Sequence, residues 1–306
     1  MFSRRTFVGT TLAVAATAGL AVPAISQSGT EIKIDGSSTV FPITEAMAEA
    51  YGGNVTVGVS GTGGGFRKFC AGETDISNAS REIKEEEIAE CEANGIDYVK
   101  FDVAFDAITV VVPNDSPLVQ ADGSVLPLTV EQLNVLWRPE SPANTWSELD
   151  SSWPNEEISL YGPGTDSGTF DYFTDEINGE EGASRNDYVA SEDDNVLVLG
   201  VSGETNALGY FGLAYYAENA SVLKAVPIDA GEGPVLPTAE NVNNGTYTPL
   251  SRPIFIYVNA ARLEPGSDVH SFVEFYLTEA RDSSIIPEVG YVQLPETQYT
   301  AYLDSL

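Results

Sequence analysis

Two rhythms alternate along the first hundred positions. Glu31-Ile-Lys-Ile-Asp35 has the period of a strand, Gly36-Ser-Ser-Thr39 is a turn, and Phe41-Pro42 opens a helical spacing through Ile43, Ala46, Met47 and Ala50. The same order returns with Val55-Thr-Val-Gly-Val59, the turn Ser60-Gly-Thr-Gly-Gly-Gly65 and a helix beginning over Phe66 to Cys70. Thr74-Asp-Ile-Ser77 is a third strand and Lys84 to Ala93 a third, Glu-rich helix. Strand, small-residue turn and helix in repetition predict an α/β unit with a parallel sheet and crossover helices.

From Asp97 to Val112 the chain is one extended apolar run, too long for an ordinary strand of about 5–6 residues. Such a run is expected to leave one domain and enter another. Leu250-Ser-Arg-Pro-Ile-Phe-Ile-Tyr-Val258 is a second run of this kind. Between them the pattern predicts helices near Val130–Leu136, Thr169–Ile177, Asp193–Val201 and Leu213–Glu218, and strands near Ile158–Tyr161, Ala207–Phe211 and Ala225–Ile228. A helix over Ser267–Thr278 is placed back on the first unit. The expected division is 27–106 plus 252–306 for one lobe and 107–251 for the other; one continuous domain is the alternative.

Composition narrows the function. The 306 residues hold 46 acidic and 14 basic side chains, a formal charge of −32 and a pI near 4.1. No basic face is available for nucleic acid or for docking on anionic lipid. The acidity reads as a solubility coat, and it repels small anions at long range, so any anion site here must work by local geometry. The one histidine, His270, leaves little for His-based zinc or Ser-His-Asp chemistry, and neither a metal site nor a cofactor is expected.

Residues 1–26 read as an export signal of twin-arginine type. Ser3-Arg4-Arg5-Thr6-Phe7-Val8 begins it, a small apolar run to Ala21 follows, and cleavage is expected after Ala24 or Ser26. A retained membrane anchor is the alternative. Export predicts a periplasmic or extracellular, oxidising setting in which Cys70 and Cys91 pair as a structural disulfide.

Three small-residue turns each follow a strand and enter a helix: Gly36–Pro42, Ser60–Phe66 and Gly162-Pro-Gly-Thr-Asp-Ser-Gly-Thr-Phe170. Free N–H groups at a helix start, close approach at glycine and added hydroxyl donors suit a phosphate-like oxyanion without lysine. Plain capping is the other reading of any single turn. Among the cations, Arg81 in Asn78-Ala-Ser-Arg81 stands at the level of the turns and suits a bidentate grip; a surface ion pair with the Glu82–Glu87 run is the alternative. Lys84 to Glu90 reads as a solvated face, Arg67 and Lys68 as helix surface, and Arg252 as structural.

Asp35-Gly-Ser-Ser-Thr-Val-Phe-Pro-Ile43, Val59-Ser-Gly-Thr-Gly-Gly-Gly65, Asp75-Ile-Ser-Asn-Ala-Ser-Arg81 and the Gly162–Phe170 turn, supported by Ala207-Leu-Gly-Tyr-Phe-Gly212 and Leu250-Ser-Arg-Pro253, resemble the periplasmic phosphate-binding proteins of phosphate ABC transporters, the PstS-like branch of the type II solute-binding fold. The resemblance spans nearly all of residues 31–280. It implies two α/β lobes, each a mostly parallel sheet flanked by helices, joined by two crossing strands and closing on inorganic phosphate. It also implies a membrane permease as partner for a monomeric, non-enzymatic receptor.

Carried over by position, the resemblance implies Ser38, Thr39 and the Val40 amide from the first turn, and Ser60, Thr62 and Gly63 from the second. Ser80 and Arg81 follow from the third, and Ser167, Gly168 and Thr169 from the other lobe. The better-known branch has an Asp near the Arg81 position, and an arginine four residues before its Ser-Gly-Thr; here the latter place is Pro163. Arg81 is therefore expected as the sole arginine grip, with Asp106 or Asp166 accepting the phosphate proton. A phosphatase or phosphotransferase using Ser38, Thr39 or Ser167 as nucleophile is the competing function, and a receptor for another tetrahedral oxyanion is a third.

Overall fold

The computed structural model describes residues 30–165, 167–191 and 193–306; the export-signal reading of residues 1–26 and the Asp166 reading fall outside them. The chain starts with β1 (Ile32–Gly36), α1 (Phe41–Tyr51), β2 (Val55–Val57), α2 (Thr62–Cys70), β3 (Ile76–Ala79) and α3 (Glu85–Ala93). β1 lies between β2 and β3 and is parallel to both, as the strand–turn–helix rhythm requires. The third strand begins at Ile76 rather than Thr74. Asp75 is drawn off to tie this edge together: its amide bonds to the Lys33 carbonyl at 2.8 Å, and its carboxylate accepts from the Lys33 amide and from Arg262.

The long apolar run is a single strand, β4 (Tyr98–Pro113). Beyond it come β5 (Leu128–Thr129), α4 (Val130–Trp137), α5 (Trp146–Leu149), β6 (Ser159–Gly162), α6 (Gly168–Asn178), β7 (Val189–Ala190) and α7 (Asp194–Gly203). β8 (Ala207–Gly212), α8 (Leu213–Asn219), β9 (Leu223–Ala225), β10 (Ile228–Asp229), β11 (Pro234–Val235) and α9 (Ala239–Asn243) complete this half. The strand expected over Ala225–Ile228 is split in two, with β9 on β4 and β10 on β5. Pro227 between them has no N–H to give a ladder.

β12 (Ser251–Asn259) returns beside β4, followed by a 3-10 turn (Ala260–Arg262), α10 (Asp268–Asp282), α11 (Ile285–Glu288) and α12 (Glu296–Leu303). β12 is antiparallel to both β3 and β4, and the β4 pairing runs from Tyr98 to Ala107. From Ile108 onward β4 pairs instead with β8 and β9. One strand thus serves the sheet of each lobe, and it changes partners in the middle, between Ala107 and Ile108. A register shift at Ile254/Phe255, opposite Ala104 and Asp102, interrupts the β12–β4 ladder a few residues before that change, as a bulge that bends the strand does.

Two cores result. Ile34, Ile43, Met47, Phe272, Tyr276 and Tyr299 pack in the first lobe, so α10 lies against α1. Trp137, Trp146, Phe173, Leu208 and Tyr210 pack in the second, with Phe173 and Tyr210 stacked at 3.8 Å. Under α2 and α3 a small cluster of Phe66, Phe69, Phe255 and Tyr257 surrounds the disulfide Cys70–Cys91, which forms as expected. No helix among the described residues is long and apolar enough to cross a membrane.

Candidate anion-binding cleft

Three turns of the first lobe come together because their strands are neighbours and parallel, so all three chains leave the sheet at the same end. After β1 the Ser37 amide bonds to the Asn78 carbonyl at 3.0 Å, and the Ser37 hydroxyl accepts from the Thr39 amide at 3.1 Å. The Tyr291 hydroxyl donates to the Thr39 carbonyl from the far side. Pro42, in the first turn of α1, sits where a missing N–H costs nothing. The second turn rests on the first: a Cβ at Gly65 would lie 2.5 Å from the Gly36 Cα and 2.8 Å from the Ser77 hydroxyl. The second and third turns are tied by Thr62 Oγ1, which lies 3.0 Å from the Ser80 hydroxyl and accepts from the Ser80 amide at 3.2 Å.

These turns form one wall of a 390 Å³ cavity through Ser37, Ser38, Thr39, Gly61, Thr62, Gly63, Ser80 and Arg81, together with Lys84. The facing wall is Asp171, Tyr172, Asp175 and Glu181 of the second lobe, and Arg252 enters from β12. Lys84 lines the cleft while remaining exposed, and of the face expected to be solvated over Lys84–Glu90 Glu87 is the residue that is buried.

Arg81 reaches the cavity already engaged. Its Nη1 and Nη2 donate to the two carboxylate oxygens of Glu87, each at 2.8 Å, and Nη1 also reaches the Glu82 carbonyl at 3.0 Å. Glu87 accepts the Lys84 amide as well, in the capping box of α3. Burial pushes the Glu87 carboxyl up, but the bonds from Arg81 and the Lys84 amide outweigh it and hold the group below the usual carboxylate range.

Arg252 is placed differently. It stands directly opposite Asp106 on the paired crossing strands. Its Nη2 lies 3.4 Å from both Asp106 Oδ2 and Thr39 Oγ1, long for charge-assisted bonds. The guanidinium lies over the Tyr172 ring, 3.7 Å from its centroid, and Nε is buried without a hydrogen-bond partner. Asp106 is 4% exposed; burial raises its carboxyl and Arg252 opposes the rise. Asp171 is pushed up to about 6, by burial first and by Glu181 second, again with Arg252 opposing.

Of the residues named from the sequence, Ser38, Thr39, Thr62, Gly63, Ser80 and Arg81 share the cavity wall. Val40 is buried as the residue before α1. The Ser60 hydroxyl turns away to Asp35, which also holds Lys68 Nζ at 2.6 Å. Asp106 lies behind Arg252. Ser167, Gly168 and Thr169 sit where the lobes touch: the Ser167 hydroxyl caps α6 by accepting the Thr169 amide at 3.2 Å, and a Cβ on Gly168 would meet Thr39 Oγ1 at 2.5 Å. Sequence reasoning missed Arg252, Lys84 and the acidic wall of α6. The available signal for Arg252 was a single base inside an otherwise apolar strand.

Residues 21–280 match the model of the PBP superfamily domain. Protein SphX of Synechocystis is 46% identical over 92% of this chain and 83% of its own length. Phosphate-binding protein PstS of Staphylococcus saprophyticus is 38% identical over 88% of this chain and 82% of its own. The crystal structure of "a possible phosphate binding protein" from Planctomyces limnophilus superposes with a TM-score of 0.81 at 45% identity, covering 90% of this chain and 97% of that one. An ABC-type phosphate transport receptor from Vibrio cholerae shares the fold, with a TM-score of 0.62 at 23% identity over 86% and 100% of the two chains.

Proposed function

Because the chain belongs to the PBP superfamily and, within it, to the PstS and SphX phosphate-binding proteins, we propose that it captures inorganic phosphate between its lobes and delivers it, outside the cytoplasm, to the permease of a phosphate ABC transporter. The observation that supports this most directly is the convergence of the Ser37–Thr39, Gly61–Gly63 and Ser80–Arg81 turns on one cavity. Amides and hydroxyls held there by the end of a sheet give a dehydrated anion fixed donors, so little ordering remains to oppose binding.

In this reading Ser38, Thr39, Thr62, Gly63 and Ser80 bind the phosphate oxygens from the first lobe. Ser167, Gly168 and Thr169 seal the site from the second as the lobes close about the β4 and β12 crossings. The moving bodies are residues 27–106 with 252–306, and 107–251. Residues 1–26 act as the export signal, and the receptor works as a monomer. It binds without turnover: the Ser167 hydroxyl serves as a helix cap rather than as a nucleophile, and a chromogenic phosphate ester should survive incubation with the protein.

Calorimetry with phosphate, sulfate, arsenate and molybdate side by side tests the reading. Phosphate should bind most tightly, compact the protein in small-angle scattering and raise its melting temperature through preferential binding to the closed form. A scattering profile and melting curve indifferent to millimolar phosphate would refute the two-lobe receptor.

A further inference from the structure

We infer that Arg252, on the crossing strand β12, is the guanidinium that grips the anion in this chain, and that Asp106 and Tyr172 aim it. The inference rests on the phosphate reading above. Among the described residues two guanidiniums reach the cavity, and they differ in what they have left to offer. Arg81 has both Nη atoms committed to Glu87 at 2.8 Å. Its charge is met by a carboxylate that is itself fixed by the Lys84 amide. Arg252 has its two hydrogen bonds at 3.4 Å and a buried Nε with no partner. A buried N–H left unpaired is costly, and native chains rarely keep one without a use for it. A tetrahedral oxyanion supplies what this guanidinium lacks: two acceptor oxygens for a planar fork.

The neighbours of Arg252 explain how it is aimed. Asp106 faces it across the ladder and supplies the balancing charge from behind. Tyr172 stacks on the guanidinium plane, which leaves the N–H groups at its edge available. The Tyr172 hydroxyl is fixed in turn by donating to the Pro249 carbonyl at 2.6 Å, three residues before Arg252. Thr39 belongs to the first lobe and Tyr172 to the second. Arg252 holds both neighbours only with the lobes together, so its grip on the anion and the closure of the cleft reinforce one another.

Phosphate calorimetry on R252K, R252A and R81K, with the melting temperature of each ligand-free protein, tests this. R252K keeps the charge and loses the fork, so phosphate affinity should fall about 100-fold, within the range seen for disrupted close charge pairs, with the ligand-free melting temperature little changed. R81K should lose markedly less. In R252A, millimolar ethylguanidinium should restore part of the phosphate affinity, which a purely structural arginine would not permit. Binding by R252K and R252A equal to that of the unaltered chain would overturn the inference while leaving the phosphate reading standing. So would a loss in R252A that tracks unfolding and resists ethylguanidinium while R252K binds normally. An unaltered chain that ignores phosphate would overturn both.

Discussion

The two walls of the cleft are built by different means. The first lobe presents the ends of three neighbouring parallel strands, where Ser37 and Thr39 are buried and every turn is tied to the next by a backbone or hydroxyl bond. The second presents one face of α6, with Asp171, Tyr172 and Asp175, and Glu181 just beyond it. One wall offers rigid neutral donors beside two cations, Arg81 and Lys84; the other offers a ring, a glycine contact and negative charge. In the proposed reading an anion between them would be held by the first lobe and enclosed by the second. Enclosure requires the second lobe to touch the first at Gly168 without placing its carboxylates against the ligand.

The sharpest way to break this contrast is at Gly65. With the Gly36 Cα 2.5 Å and the Asp35 carbonyl 3.0 Å from where its Cβ would be, Gly65→Val must push α2 off β1 and separate two donor turns at once. Chemical denaturation should show a loss of more than about 3 kcal/mol, the upper end of overpacking costs, and phosphate binding should vanish with it. The disulfide comes next. Cys70 and Cys91 brace the same lobe behind its turns, and the double Cys→Ser variant should lose about 3 kcal/mol in the loop-entropy account. Phosphate affinity should be retained, because neither cysteine lines the cavity; loss of binding at temperatures where the variant is folded would show that the brace also sets the turns.

A change at Gly168 should act between the lobes rather than inside one. Its Cβ would strike the Thr39 Cα at 2.9 Å as well as the hydroxyl. Gly168→Ala should therefore leave the ligand-free melting curve in place and weaken phosphate binding by roughly 1–3 kcal/mol, with less compaction on scattering. Full affinity with full compaction would mean that the lobes close along another line.

The first lobe was the more legible in the sequence for the same reason that it is the better organised. Its turns are consecutive strand-to-helix junctions, so local spacing is enough to place Ser38, Thr39, Thr62 and Ser80 on one edge, and Cys70 and Cys91 lie close enough along the chain for their pairing to be expected. Arg252 enters the site through a long-range fact, the register that sets it against Asp106 across 146 positions of sequence. No local pattern carries that information. Arg81 and Lys84 were hard to rank because the Glu-rich segment after them looks solvated; only folding shows that one of those glutamates, Glu87, is turned inward to hold Arg81. The acidic face of α6 was hidden by an overall excess of acid, which makes any single carboxylate unremarkable.

The smallest expected effect separates the lobes by the sign of their pH dependence. Asp171 in the second lobe has its carboxyl raised from 3.8 to about 6 by burial and by Glu181. Between roughly pH 4 and 6 the folded chain therefore keeps a proton that the unfolded chain has released, so this group's contribution to stability falls as pH rises through that window and stays low above it. Glu87 in the first lobe is held below 4.5 by Arg81 and the Lys84 amide against the opposing effect of burial. Its contribution is present above pH 4.5 and is lost as pH falls through the lowered value. Asp171→Asn should thus melt slightly higher than the unaltered chain at pH 7, with the gap closing toward pH 4. Solvent around the partly exposed carboxyl screens the effect and keeps it small. Glu87→Gln should melt lower at pH 7, with its deficit shrinking in acid. Melting curves taken across pH 3.5 to 7.5 would show two differences converging toward zero from opposite sides. Parallel, pH-independent offsets would instead mean that packing, rather than charge, distinguishes the two walls.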